Sequence, residues 1–457
     1  MQAPGGERSI DASIFKAYDV RGVYPSQLRG EVAQQIGRAF VDYLGARRIA
    51  VGRDARLSSP EIAGAFIEGA RAQGCAVCDL GVVGTDMLYY FVARHGLDGG
   101  AVVTASHNPK EWNGLKLVRR GALALSGEEG IEQIRDWIAS GRYREPAPGP
   151  SAPLETREIR EEYARHCLSL IDVSAVPRLR VVLDAGNGMA PVCAGAILPR
   201  LPIEAVPMYF EPDGTFPNHP ADPLIEANRR EIMRRVVEEK ADLGIAWDGD
   251  ADRCFFIDDR GEFVPGDFVT ALLGESFCRR EAGAKIVYDV RASRVVRDRV
   301  EAAGGVAVMN RVGHAFIKKR MREEGAAFGG EVSGHFYFRD NWFADNGMIP
   351  ALLILEHLGR DKRKLSEILA PIRERYHVSG EVNSEVEDVA AALARIEKRY
   401  GDGRIHRLDG ISVDFEDWHF NVRPSNTEPL LRLNLEASSR SAMEARRDEV
   451  LAVIRGA

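Results

Sequence analysis

Cysteine, membrane-length apolar runs and surplus positive charge are all scarce in this 457-residue sequence, and each shortage removes a class of protein. The six cysteines, at 75, 78, 167, 193, 254 and 278, are too few and too scattered for a disulfide framework. Cys75-Ala-Val-Cys78 is a lone C-x-x-C with no second pair to complete a zinc site, so these are expected to be reduced core residues. No stretch approaches the ~20 apolar residues of a membrane span. Residues 1–7 show no basic region leading into an apolar one, so a cytoplasmic protein is expected. Lys and Arg number 61 against 68 Asp and Glu, a net charge of −7, which opposes attraction to nucleic acid or anionic lipid. Gly186-Asn-Gly188 lacks the third glycine of a dinucleotide fingerprint, and His335-Phe336 stand where a Walker A loop needs Lys-[Ser/Thr].

What remains is an ordinary globular composition, 45% hydrophobic and 28% charged, long enough for several domains. Closely spaced prolines across 141–153 predict an extended connector. Before and after it one rhythm recurs: a short β-rich run, a polar turn, a helical pattern, then another short run ending in a Gly-rich or polar loop. The runs are 48–51 and 100–103, then 179–183 and 243–247, then 285–288 and 326–328. This alternation predicts parallel α/β sheets, with ligands bound outside the carboxyl ends of strands. After Pro371 a helix over 386–400, a strand over 411–415 and a helix from Ser441 predict a smaller α+β domain, and the stretch 371–380 reads as a hinge. The expected domains are 1–150, 151–256, 257–371 and 372–457.

The loops carry the chemistry. Asp248, Asp250 and Asp252 alternate with Gly249 and Ala251 after an apolar run. Carboxylates this close repel one another unless cations or hydrogen bonds compensate, and oxygen-only ligation suits Mg2+. A solvated acidic turn is the plain alternative. An EF-hand is excluded, because Arg253 and Asp259 occupy positions that need Gly and Glu. Ser106 lies in Thr104-Ala-Ser-His-Asn-Pro109, beside His107. Thr104 and Asn108 replace the glycines of a hydrolase elbow, so acyl transfer is disfavoured. Phosphoryl transfer through Ser106 is the sharper reading, since phosphate oxygens coordinate Mg2+ well. Arg423, Ser425, Asn426 and Thr427 supply a guanidinium fork, hydroxyls and an amide suited to a phosphate dianion. Glu331 and Ser333 sit among glycines, able to hydrogen-bond sugar hydroxyls. Lys16, Arg21, Lys116, Arg253, Arg291 and His314 are cations in or beside such loops, whereas the run 318–322 reads as a solvated helix face.

Taken in order, Lys16-Ala-Tyr-Asp-Val-Arg-Gly22, the serine loop, Asn113-Gly-Leu-Lys116, the acidic loop, Gly330-Glu-Val-Ser-Gly-His335 and 423–429 resemble the motifs of the α-D-phosphohexomutases. The nearest resemblance is to the bacterial and archaeal phosphomannomutase/phosphoglucomutase group. It implies an α/β protein of heart-shaped, four-domain architecture: three similar mixed α/β domains and a C-terminal α+β domain around a central cleft. It also implies a phosphorylated Ser106 that, with Asp248, Asp250 and Asp252, holds one Mg2+ per subunit. The phosphoserine would donate to a hexose 1- or 6-phosphate, giving a 1,6-bisphosphate that turns around and returns its other phosphate. Glucose 1,6-bisphosphate or an equivalent is the implied activator.

By the same resemblance Arg21, Lys116 and His335 are candidates for proton transfer, and His107 supports the phosphoserine. Tyr18, Arg253, Arg291, His314, Glu331, Ser333, Arg423, Ser425, Asn426 and Thr427 would bind substrate. The expected partner is a phosphorylated hexose, with no nucleic acid and no membrane, on a monomer or homodimer. Three positions depart from the common pattern: Arg291 stands for lysine, Asn346 for aspartate, and Val332 for Met or Gln. A mannose and/or glucose phosphate mutase leads, with phosphoglucosamine mutase as its near rival. A metal-dependent sugar phosphatase and a non-enzymatic sugar-phosphate sensor are the more distant alternatives.

Overall fold

Short apolar runs separated by amphipathic stretches build sheets with helices layered on them. The computed structural model describes residues 10–146, 151–424 and 430–456. The chain divides into two compact units, Met1–Phe263 with Asp340–Lys362, and Val264–Arg339 with Arg363–Ala457.

Two sheets belong to the first unit. In one, the strands lie in the order Val20–Val23, Trp112–Arg119, Gly99–Val103, Arg48–Arg53, Ala76–Val82 and Leu154–Thr156. In the other they run Cys254–Ile257, Leu243–Trp247, Leu179–Asp184 and Ile203–Met208. Gly99–Val103 and Leu243–Trp247 are buried throughout, as central strands covered on both faces must be. The helix Gly30–Leu44 buries Val32, Ile36 and Phe40 at helical spacing and stops at Gly45 in the left-handed region. Phe40 packs on Phe66 of the helix Ser59–Ala72 with ring centroids 5.8 Å apart, and its truncation to alanine is worth about 3–5 kcal/mol.

The second unit repeats the plan with Val306–Asn310, Lys285–Asp289, Phe328–Gly330 and Phe336–Phe338. Its C-terminal sheet, of order His377–Glu385, Leu430–Ala437, Trp418–Pro424, Ile411–Asp414 and Arg404–His406, is antiparallel throughout. The helices Val389–Arg399 and Arg440–Arg455 cover it through Ile396, Val450 and Ile454.

One strand order therefore recurs three times. A second, first and third strand pair in parallel, and a fourth returns antiparallel against the third. The sheets are mixed rather than parallel, because the chain turns straight back after the third strand. The serine, acidic and Glu331 loops all occupy that same turn.

Several local expectations change. The strand expected over 326–328 lies at Phe328–Gly330, where an added Cβ on Gly330 would strike Thr270 of the neighbouring helix. Lys318 is 1% exposed, not solvated, because it follows Ile317 on the inward side of the helix His314–Glu324. Pro371 lies inside the helix Leu365–Arg375 rather than at a break. Leu154–Thr156, expected in the second domain, adds an edge strand to the first sheet. All six cysteines are buried and free, and burial pushes the Cys75 thiol up to about 12 and Cys78 up to about 11.

Candidate active site

Two strand ends in the first unit deliver the central group. The serine loop leaves Gly99–Val103 with Ser106 at φ 51°, a left-handed conformation uncommon for a residue with a Cβ, and the Thr104 hydroxyl accepts from the Ser106 N–H at 2.9 Å. The acidic loop leaves Leu243–Trp247 and folds back, with the Arg253 N–H donating to Asp248 Oδ1 at 3.1 Å. Gly249 lies directly on the Ser106 carbonyl, where any Cβ would collide, so glycine is what lets the two loops meet. Ser106 Oγ then donates to Asp248 Oδ2 at 2.8 Å, and His107 Nδ1 is 3.3 Å from the same hydroxyl.

Asp248, Asp250 and Asp252 are essentially fully buried and place one oxygen each within 4.8 Å of the others. Burial pushes the Asp248 carboxyl well above its ordinary range, and the charges of Asp250 and Asp252 add to the effect. Lys116, on the antiparallel strand Trp112–Arg119, reaches Asp250 Oδ2 at 2.6 Å and Asp252 Oδ2 at 2.5 Å. Burial alone would depress its ammonium, but Asp250 and then Asp252 hold it well above the usual value. Thr85 Oγ1 donates to the same Asp250 oxygen at 2.5 Å, and Arg253 Nε lies 3.6 Å from Asp248. Three carboxylates face two cations, and Asp250 Oδ1 is buried without a hydrogen-bond partner among the described residues. A set of hard oxygens with one negative charge uncompensated fits a divalent cation such as Mg2+.

Arg21 borders the serine loop, donating to Asn108 Oδ1 at 2.5 Å and pairing with Asp19. Lys16 and Tyr18 are half-buried on the same stretch, where the Lys16 N–H donates to the Asp19 carbonyl at 2.8 Å.

A second group forms in the second unit. Arg291 grips Asp289 through Nε at 3.0 Å and Nη2 at 2.9 Å, and Nη2 lies 3.7 Å from Glu331. Glu331 accepts from the Tyr337 hydroxyl and, at 3.3 Å, from the Gly313 N–H. His335 Nδ1 is 3.2 Å from Ser333 Oγ and 3.9 Å from Glu331, and the His314 ring centroid lies 6.2 Å from that of His335. Arg423 lies within the strand Trp418–Pro424, next to its last residue, instead of in the loop beyond it, and with Arg291 and Arg432 it surrounds Glu381 at 3.0–3.5 Å. Burial opposes the Glu381 charge, yet Arg291, Arg432 and Arg423 hold that carboxyl below its usual range. Ser425, Asn426 and Thr427 lie outside the described residues.

Asn346 caps the helix Met348–Asp361, accepting from the Met348 and Ile349 N–H groups at 2.8 Å while donating to Tyr163 Oη at 3.0 Å. An aspartate could make the cap but not the donation. Arg56, Thr85 and Asp86 escaped the sequence reading. Arg56 donates to the serine loop, and Thr85, at the start of the helix Thr85–Arg94, donates to Asp250, while Asp86 next to it binds Tyr163 and Cys193; no spacing in a single sequence marks them.

Three copies of one mixed α/β plan, an antiparallel α+β domain and a serine set against buried acids define a class: isomerases that transfer phosphate within a sugar phosphate. Comparison gives the family. Phosphoglucomutase/phosphomannomutase alpha/beta/alpha domains I, II and III match residues 12–145, 161–261 and 265–376, and the C-terminal domain of the same family matches 381–453. The chain is 42% identical over 445 residues to a protein named phosphohexose mutases from Xanthomonas campestris pv. campestris, covering 97% of this chain and 99% of that one. It is 41% identical over 452 residues to a phosphomannomutase of Salmonella typhimurium, with 97% and 99% coverage. A crystal structure of a phosphoglucomutase/phosphomannomutase family protein from Burkholderia thailandensis superposes with a TM-score of 0.88 at 32% identity, covering 97% and 98% of the two chains. The chain belongs to the phosphoglucomutase/phosphomannomutase family of the α-D-phosphohexomutases, and it is an enzyme of the intramolecular phosphotransferase kind.

Proposed function

We propose that this enzyme interconverts hexose 1-phosphate and hexose 6-phosphate, with mannose and/or glucose as the sugar, through a phosphoserine at Ser106 and a hexose 1,6-bisphosphate. The observation that carries the reading is the buried contact between Ser106 Oγ and Asp248, beside two further acids and Lys116. In the forward step the bond from phosphorus to Ser106 Oγ breaks as a bond to the free sugar hydroxyl forms, and the hydroxyl proton passes to a base. In the return step the other phosphate of the bisphosphate moves to Ser106, and the proton goes back to the sugar oxygen it leaves. No phosphate is gained or lost.

Such a loose transition state depends on positioning and charge neutralisation. Lys116, held charged between two carboxylates, and Arg21 beside Asn108 supply fixed positive charge. His335, Lys116 and Arg21 are the groups that would take and return the proton at the sugar hydroxyl. His107 orders the Ser106 hydroxyl. Glu331 and Ser333 hold sugar hydroxyls, with Tyr18, Arg253, Arg291 and His314 as further contacts, and Arg423, Ser425, Asn426 and Thr427 take the phosphate that is not reacting. Bound by Asp248, Asp250, Asp252 and the Ser106 oxygen, one Mg2+ per subunit would neutralise charge on the transferred phosphoryl group. A hexose 1,6-bisphosphate such as glucose 1,6-bisphosphate is the activator that first phosphorylates Ser106. The reading has a cytoplasmic monomer or homodimer with no nucleic-acid or membrane partner. The net charge of −7 opposes attraction to nucleic acid or anionic lipid. No described helix is long and apolar enough to cross a membrane.

A phosphorus NMR time course with mannose 1-phosphate, glucose 1-phosphate and glucosamine 1-phosphate tests the assignment. Conversion of either neutral sugar phosphate to its 6-phosphate is expected. Isomerisation of the amino sugar alone, or release of inorganic phosphate that survives Ser106→Ala, would refute it.

A further inference from the structure

Arg56 is 1% exposed and among the bulkiest of the fully buried side chains, and the acid it pairs with is Asp54, outside the metal loop. Four of its five guanidinium N–H groups serve one task. Nη1 donates to the carbonyls of Pro109 at 2.7 Å and Trp112 at 3.0 Å, and Nη2 to those of Ser106 at 2.8 Å and Asn108 at 2.7 Å. The remaining Nε donates to Asp54 Oδ2 at 3.2 Å. Asp54 is itself fixed, since its other oxygen accepts from the Ser59 hydroxyl at 2.5 Å and the Arg56 N–H at 3.0 Å. The ring of Phe216 covers the guanidinium carbon at 5.1 Å.

Four carbonyl oxygens converging on one buried point would repel and go unsatisfied without a donor, so the loop cannot hold this shape by itself. Only a guanidinium supplies five N–H groups in one rigid plane; an ammonium has three and cannot span both pairs of carbonyls. One of the four belongs to Ser106, whose φ of 51° is unfavourable for a residue with a side chain. The same backbone turn aims Oγ at Asp248.

We propose that Arg56 is a positioning residue for phosphoryl transfer: it locks the 106–112 loop by its main-chain carbonyls and so holds Ser106 in the left-handed conformation that presents Oγ for reaction. It acts through the loop and does not touch substrate. The inference rests on Ser106 as the phosphoryl carrier.

The test uses full-length Arg56→Lys and Arg56→Gln, checked for folding by circular dichroism and melting. Ser106 phosphorylation by glucose 1,6-bisphosphate is followed by intact mass, alongside steady-state kinetics. Displacing a reacting atom by about an ångström costs on the order of 100-fold. Both the phosphorylation rate and kcat are therefore expected to fall by about 10- to 100-fold, lysine less than glutamine, while KM for the hexose phosphate stays within about twofold. A folded variant that phosphorylates Ser106 at the wild-type rate, or that loses activity through KM alone, overturns the proposal. If neither variant folds, Asp54→Asn leaves Arg56 in place but frees its anchor; phosphorylation several-fold slower supports the proposal and a wild-type rate overturns it. Wild-type protein that never takes phosphate from the bisphosphate removes the carrier reading, and this inference with it. Phosphorylated wild type with equally fast variants removes this inference alone.

Discussion

The Ser106 hydroxyl donates to the Asp248 carboxylate at 2.8 Å although 142 positions separate them, and both side chains are all but excluded from solvent. A hydroxyl buried against a carboxylate that has two more acids behind it is a costly arrangement. What offsets the cost is Lys116 on one side and Arg253 on the other, and the balance still leaves one negative charge.

Asp248→Asn relieves that repulsion, keeps one oxygen to accept from the Arg253 N–H, and turns an N–H toward the Ser106 hydroxyl, whose oxygen can accept it. In EDTA the variant is expected to melt at or above the wild-type temperature, because burial and the two neighbouring acids already disfavour the Asp248 charge. The rise in melting temperature that Mg2+ gives the wild type should be lost, and turnover should fall at least about 100-fold, the scale of removing one pre-organised electrostatic contact. Thermal scans with and without Mg2+ check this; a variant with the full Mg2+ response contradicts the ligand assignment.

Lys116→Met has the opposite sign. It strips the ammonium from Asp250 and Asp252 and leaves two buried carboxylates uncompensated. Removing one partner of a buried pair costs about 3–5 kcal/mol. A melting temperature several degrees lower in EDTA is expected, partly restored by Mg2+. Unchanged melting would mean the acids are not relying on Lys116.

Arg291→Lys probes the second group. The guanidinium meets Asp289 through two N–H groups at 2.9 and 3.0 Å, and a lysine has no planar fork to reproduce that grip. With the cation free to leave its position near Glu331, KM for hexose 1-phosphate is expected to rise about tenfold, or about 1.4 kcal/mol, with kcat within about threefold. Steady-state kinetics decide; an effect confined to kcat would place Arg291 at the reacting atoms instead.

The loops at strand ends were legible in the sequence because apolar runs such as 243–247 end abruptly in polar turns, and the strand lies at those residues. The mixed character of the sheets was not, since an antiparallel return strand and a parallel crossover strand carry the same alternation. The acidic triad and Ser106 announce themselves by residue type and spacing. Arg56, Thr85 and Lys318 do not, because their roles come from carbonyls, carboxylates and burial supplied by distant segments. Asn346 read as the loss of a charge, and only its place above the helix Met348–Asp361, beside Tyr163, shows why an amide serves there.

Asp86 ties this protein's stability to pH. Its carboxylate is wholly buried, accepting from the Tyr163 hydroxyl at 2.5 Å and from Cys193 Sγ at 3.5 Å, and burial pushes it up to about 7 in spite of those hydrogen bonds. In the unfolded chain the same group titrates near 3.9. Between those values the folded protein holds a proton that the unfolded chain has released, so raising pH from about 4 to about 7 draws stability away, on the order of 3–4 kcal/mol in all. Asp86→Asn cannot titrate, and its amide can still offer an oxygen to Tyr163 and an N–H to Cys193. The difference in urea midpoint between wild type and Asp86→Asn should therefore favour the wild type most at or below about pH 4 and shift steadily toward the variant by pH 8. Taking the difference cancels the other titrating carboxylates, which both proteins share. A difference that does not move with pH would show that Asp86 is ionised in the folded state across the whole range.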